Sequence, residues 1–467
     1  MRTRTTSFRR ASVALPTVVC AIIFFLASAD RLFTIRTGAV NVRFAAVVLL
    51  VAAVVFALTR WRKSNDDSRA LTVAWLPFVA MYALAAATSE TPVPGLLKLG
   101  WFAFDFFVAF AAIALFDVRD VARGYFLSYL VVASIIAIDF VTGFTRGPDY
   151  MIGYAQENNM VSGMLLFRPH AFYYEPSFAA GGLAFAWALA LTRMRDAAPR
   201  LAAALVVVGA VALVVMTSRI GWVFASAAAV AILIFRYREG TLRLSSLARA
   251  SIPIVLIAGG LAGVISFSDK RDAFGALVGR LGFAQAFERV CPLIADHFPG
   301  GIECLAGDAR REYLGEAQPL NAFETAEGAR LGGLRTTVAA IAQHPWLGIG
   351  VGHGSDRFIA PPIAANLWLE VALEGGLVTL MAFAFGVTFT LWRWGMFEAR
   401  NRDIMIVLAL WLLIMWQFMQ TFPRLDLWIA FWVVLVWARR GSQLAPVDPR
   451  SRRPSTTPHG DWLDQAR

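Results

Sequence analysis

Apolar residues along this chain come in long unbroken runs rather than in the alternating pattern of a half-buried strand. Twelve such stretches approach the about 20 residues that a helix needs to cross a hydrocarbon core of about 30 Å. They lie near 11–29, 39–59, 70–88, 97–116, 121–142, 176–192, 200–217, 219–235, 250–267, 371–391, 403–420 and 425–438. The last is short but carries Trp428, Trp432 and Trp437, rings of a kind that settle at the headgroup level.

Spans and short connections alternate as far as residue 268, apart from one polar interruption at 143–177 that is rich in Gly, Asn, Tyr and Phe. The segment 268–362 then breaks the pattern outright. Loops of that length are functional or disordered, and this one is expected to be partly folded. Phe274, Leu277, Val278, Leu281 and Phe287 give helical spacing over 270–290, and Leu331, Leu334, Val338 and Ile341 share one face of a predicted helix over 325–343. The string HPWLGIGVGHG that follows contains a proline and four alternating glycines, which predicts an irregular turn. Beyond 441 the chain is rich in Pro, Ser and Arg, with too little apolar mass to order itself. The organisation is therefore a first bundle of about nine spans over 1–267, a large extracytoplasmic loop over 268–362, a second bundle of about three spans over 363–440, and a disordered tail over 441–467.

Composition agrees. Of 467 residues, 58% are apolar and 16% charged, against about 25% charged in soluble domains. The formal charge of +11 invites a nucleic-acid reading until the charges are placed. With a cytoplasmic N-terminus, 26 of the 43 Lys and Arg fall in inward segments, among them Arg60, Arg62, Lys63, Arg193, Arg195, Arg236, Arg238, Arg243 and Arg249. The long loop holds nine basic and eleven acidic residues. This is the positive-inside pattern, and it puts both termini in the cytoplasm. Arg2, Arg4, Arg9 and Arg10 precede the first apolar run; no clear small-residue cleavage site follows, so that run reads as a retained span and not a signal peptide. Of three cysteines, Cys20 falls in the first span. Cys291 and Cys304 lie in the long loop, where an oxidising compartment would permit a structural disulfide.

Four clusters could carry chemistry. In RPHAFYYEPS, Arg168 and Glu175 stand just before the sixth span, and Pro176 with Ser177 suits a helix start. The pair is either a capped surface loop or a cavity-facing carboxylate with its partner. In TSRIG, Arg219 sits between two long apolar runs; it either snorkels to headgroups or aims a planar fork at phosphate. In the long loop, Arg330 and Arg335 precede the glycine turn, which His344 and His353 flank. The histidines and cysteines match no metal spacing, and the glycines match neither a P-loop nor a dinucleotide fingerprint. In NLWLEVALEGG, Asn366, Glu370 and Glu374 step by four residues, which on a helix holds them within about 80° of one another. They form either a solvated face or a carboxylate pair at the mouth of a span.

Taken in order, these parts resemble the O-antigen polymerase and O-antigen ligase superfamily of bacterial envelopes. The resemblance rests on Arg168 to Ser177, Ser218 with Arg219, Arg330 fifteen residues before the His-Pro-x-x-Gly-x-Gly turn at 344–350, and Asn366 to Gly375. It implies an all-α polytopic membrane protein of about 12 transmembrane helices, GT-C-like, with one large extracytoplasmic loop containing short helices, in the bacterial inner membrane. It further implies metal-independent glycosyl transfer without a cofactor, from undecaprenyl-diphosphate-linked glycans. Preorganised arginines would stabilise the departing diphosphate. By that resemblance Glu175, Arg219 and Arg330 are the expected catalytic residues; Arg168, Ser177, Arg335, His353, Asn366, Glu370 and Glu374 are expected to bind substrate. The expected partners are the lipid bilayer, lipid-linked glycans, a chain-length regulator and other polysaccharide-assembly proteins, and no nucleic acid. Ligases of the family carry His before the Asn, and here that position is Ala365, which favours a polymerase over a ligase. A transporter of lipid-linked sugars is the rival from another class, but the paired halves of transporters find no counterpart in this sequence.

Overall fold

The computed structural model describes residues 15–28, 34–37, 40–59, 65–89, 92–142, 160–161, 164–165, 176–216, 218–240, 333–351, 366–415 and 425–441. The predicted span 250–267, the predicted helix 270–290, Cys291, Cys304 and the tail beyond 441 lie outside them.

Over the described residues the chain is helical apart from two small hairpins. The helices are α1 (Leu15–Ser28), α2 (Phe44–Thr59), α3 (Asn65–Ala87), α4 (Pro92–Ala114), α5 (Val118–Thr142), α6 (Pro176–Ala190), α7 (Pro199–Val215), α8 (Arg219–Arg238) and α9 (333–343). Then come α10 (Leu367–Arg393), α11 (Arg402–Leu410, continued by a π-helical turn over Trp411–Met415) and α12 (Leu425–Arg440). Five helices are long and apolar enough to cross a membrane, over Arg69–Ala87, Pro92–Ala114, Val118–Ile138, Ile220–Arg238 and Leu367–Arg393. Shorter apolar helices lie at Leu15–Ser28, Ala179–Ala190 and Pro199–Val214.

The first hairpin pairs β1 (Thr34–Thr37) antiparallel with β2 (Val40–Arg43), Thr34 opposite Arg43. It corrects the predicted span over 39–59, because Val40–Arg43 is strand and the helix begins at Phe44. The sequence Val-Asn-Val-Arg alternates with β-branched residues, which favours a pleated segment, and the uninterrupted apolar run starts only after it. The second hairpin pairs Met160–Val161 with Met164–Leu165.

The core centres on aromatic rings. Trp75 of α3 is buried among Phe78, Phe102, Phe106, Phe383 and Trp428, with ring centroids 4.5 to 6.0 Å apart. Its indole N–H donates to Thr390 Oγ1 at 3.0 Å. Helix α12 is buried from Leu425 through Ala438, as expected of a helix apolar all round. Its tryptophans therefore do not form the predicted headgroup belt. Trp428, Trp432 and Trp437 are core residues, and Trp432 donates its N–H to the Phe106 carbonyl at 2.9 Å, which satisfies the polar edge of a buried indole. The helix predicted over 325–343 is present over the described residues 333–343. Leu334 and Val338 are exposed, whereas Thr337 is buried and bonds back to Gly333 O. At a membrane boundary an apolar helix face can meet acyl chains instead of a protein core.

Long-range bonds sort the helix ends into two sets. At one end, Thr17 of α1 donates to Asp120 of α5 (2.6 Å), Arg123 to Ala197 O (3.1 Å), the Arg193 N–H to Asp403 (2.8 Å), and Asn401 to Ala438 O (3.1 Å). At the other, Trp222 donates to Leu213 O (2.5 Å), Trp368 to Leu412 O (3.4 Å), and Lys98 to Glu370 (2.6 Å). Helices α1, α5, α7 and α11 thus start at the first end, and α4, α8, α10 and α12 start at the second. Arg193, Arg195, Arg236, Arg238, Arg400, Arg402, Arg439 and Arg440 all belong to the first end.

Candidate functional site

The site grows from a break in α10. Asn366 caps this helix, its side-chain oxygen accepting the Leu369 N–H at 3.0 Å, the bond that an N-cap Asn supplies. Ten residues on, Gly376 leaves helical geometry at φ 75°, ψ 176°, a conformation open to glycine. A break there would strand the Leu373 and Glu374 carbonyls. The glycine turn takes them up: Ile349 N–H donates to Leu373 O at 2.8 Å and Gly350 N–H to Glu374 O at 3.1 Å. In return Leu377 N–H donates to Pro345 O at 2.7 Å. The fit leaves no room for side chains. A Cβ on Gly348 would lie 2.4 Å from Leu373 O, and one on Gly376 would lie 2.1 Å from Trp346 O. The predicted irregular turn is therefore a plug for the helix break, and Val351 just beyond it is fully buried.

On the turn before the break, the two carboxylates of α10 meet a lysine from a distant part of the chain. Lys98 of α4 places Nζ 2.6 Å from Glu370 Oε1 and 2.8 Å from both Glu374 oxygens. Tyr82 of α3 donates to Glu374 Oε2 at 2.5 Å. Glu374 has no solvent exposure, while the side chains of Lys98 and Glu370 keep 16% and 15%. An intramembrane ion cluster is costly unless its members are paired and hydrogen-bonded. These are both.

The structure brings together three of the predicted residues, Asn366, Glu370 and Glu374, on the first turns of α10. Arg335 lies exposed on α9, and His344 is exposed where α9 gives way to the turn. Arg219 opens α8 and Ser177 lies in the first turn of α6, but their side chains, like the whole of Arg168, Glu175, Arg330 and His353, fall outside the described residues. Lys98 and Tyr82 were not among the expected site residues. A signal for Lys98 was present: a single cation in the opening turns of an apolar stretch demands a partner. For Tyr82 the sequence held none, since a tyrosine near the end of a span is ordinary. A separate cavity of about 420 Å³, lined by Trp392, Arg393, Gly395, Phe397 and Glu398, sits at the opposite end of α10 and shares no residue with this cluster.

Residues 203–384 match a sequence family described as O-antigen ligase. That stretch of the chain is thus similar to the O-antigen ligase family, in line with the resemblance read from the sequence. The matched segment runs from α7 into the second half of α10, so it contains the glycine turn, the helix break, Glu370 and Glu374. Lys98 and Tyr82 come from outside it. No curated protein matches the chain. Together with the five helices long and apolar enough to cross a membrane, the match supports a membrane protein.

Proposed function

We propose that this chain is a polymerase that joins undecaprenyl-diphosphate-linked oligosaccharide repeat units into O-antigen or exopolysaccharide at the periplasmic face of the inner membrane. The observation that carries the reading is the superfamily match over 203–384, on the segment that bears the plugged helix break and its carboxylates. In this reading the bundle has about twelve spans in a GT-C-like arrangement. The arginine-rich end faces the cytoplasm by the positive-inside rule, which turns the Lys98–Glu370–Glu374 end outward.

In the transfer, an acceptor hydroxyl oxygen attacks the anomeric carbon of the donor. The bond from that carbon to the diphosphate oxygen breaks, and its electron pair leaves with the diphosphate. The hydroxyl proton passes to a carboxylate, with Glu175 and Glu370 as the candidates, since the expected Glu374 is buried behind Lys98 and Tyr82. Arg219 and Arg330, with Arg168, stabilise the charge that grows on the leaving group. Arg335, Ser177, His353 and Asn366 complete the substrate contacts in this proposal. Ala365 in the place of the ligase histidine favours polymerisation over transfer to lipid A-core.

Purified protein reconstituted with an undecaprenyl-diphosphate-linked repeat unit should build a ladder of longer chains. Arg219→Ala and Arg330→Ala should each reduce that extension by at least about 100-fold at equal protein level. Wild-type chain lengths from both variants would refute the assignment, and transport of repeats without any extension would refute the class.

A further inference from the structure

We infer that Lys98 is a positioning residue of the transfer site, holding Glu370 on the less buried side of the cluster, toward the start of α10, while Glu374 and Tyr82 anchor the lysine from behind. The inference rests on the glycan-transfer reading and adds to it a residue from a helix that the family match does not include.

The geometry separates the two carboxylates that their sequence spacing made equivalent. Glu374 is fully buried, with both oxygens on Lys98 and one also accepting from Tyr82. Substrate cannot reach it. Glu370 shares the same lysine through Oε1 but lies one helical turn nearer the start of α10, where its side chain keeps 15% of its surface although its Oε2 is itself buried. An ammonium has three donors, and three carboxylate oxygens stand within 2.8 Å of Lys98 Nζ. Its donors are therefore committed to carboxylates, and it is a support for them and not a phosphate ligand. The support reaches the chemistry because the first half of α10 ends in the Gly376 break, where the turn over 345–350 grips the Leu373 and Glu374 carbonyls. Lys98 thus ties α4 to a short, separately held helical segment, so its loss would let Glu370 drift without unfolding the bundle around Trp75.

The test compares full-length wild type, Lys98→Met and Lys98→Arg in proteoliposomes with the lipid-linked repeat unit, at equal amounts of folded protein. A displaced catalytic group costs on the order of 100-fold. Lys98→Met is therefore expected to lower kcat by about that factor with little change in donor KM, and Lys98→Arg to recover most of it. A Lys98→Glu, Glu370→Lys double variant keeps the charges in contact and should regain the thermal midpoint lost by either single change, yet stay inactive. Unchanged kcat per folded Lys98→Met molecule, or full activity in the double variant, would overturn the inference and reduce Lys98 to a structural ion partner. Should the double variant not fold, the kcat and KM of the single variants decide alone. Failure of the wild-type protein to extend any chain would instead overturn the polymerase reading itself.

Discussion

Two charged contacts between distant parts of the described chain sit at opposite ends of the bundle, and they differ in kind. At the arginine-rich end, Arg193 lies 3.5 Å from Asp403, with the arginine side chain 43% exposed. Asp403 also accepts the Arg193 backbone N–H at 2.8 Å, so much of its role is to cap a connection between helices. At the other end, one lysine serves two carboxylates, one of them wholly buried, and a tyrosine completes the shell. In the first contact Asp403 is buried, but it keeps the Arg193 and Ile404 N–H donors when the exposed arginine side chain turns to water. The second has no such alternative, because removing one member strands the others in a low-dielectric surrounding. Charge kept where charge is expensive, beside a deliberate break in a helix, marks the second end as the one shaped for function.

This contrast can be broken experimentally. The largest effect belongs to Glu374→Leu, which leaves Lys98 with a single carboxylate and Tyr82 without its acceptor. It should cost about 3–5 kcal/mol, read as a large drop in thermal midpoint in detergent; a midpoint near wild type would mean that water reaches the cluster. Gly376→Ala comes next. Its Cβ would overlap the Trp346 carbonyl, and its backbone would be held at positive φ, so a loss of about 1–3 kcal/mol should appear, with protease sensitivity rising near 344–351. If the cut pattern stayed as in wild type, the turn would not depend on the break. Smallest is Arg193→Ala, expected to stay within about 1 kcal/mol because its partner still caps the backbone; a shift as large as that of Glu374→Leu would erase the distinction between the two ends.

Much of the helical layout was legible beforehand. The runs that became α3, α4, α5, α8 and α10 needed only length and apolarity, and the turn after α9 was marked by proline and glycine. The rest shares a cause. Trp428, Trp432 and Trp437 looked interfacial because tryptophan commonly is, yet α12 is surrounded by other helices and its indoles pack with Phe106, Phe110 and Trp394. The apolar stripe of α9 marked a helix, and its packing left Leu334 and Val338 exposed. In both cases the residue type was read correctly, and the neighbour, protein or lipid, was supplied by packing. Glu370 and Glu374 could be placed on one helix face from their spacing, but nothing local said that one would be sealed and the other left partly exposed.

By itself the sequence determined a helical membrane protein with a stretch, 203–384, similar to the O-antigen ligase family, since hydrophobic run length, charge asymmetry and ordered short motifs are all properties of adjacent residues. Only the tertiary structure decided which carboxylate is the anchor, which cation holds it, and why the glycines at 348 and 376 must be glycines. Those outcomes depend on residues some 270 positions apart meeting in one small space, and no local pattern encodes that meeting.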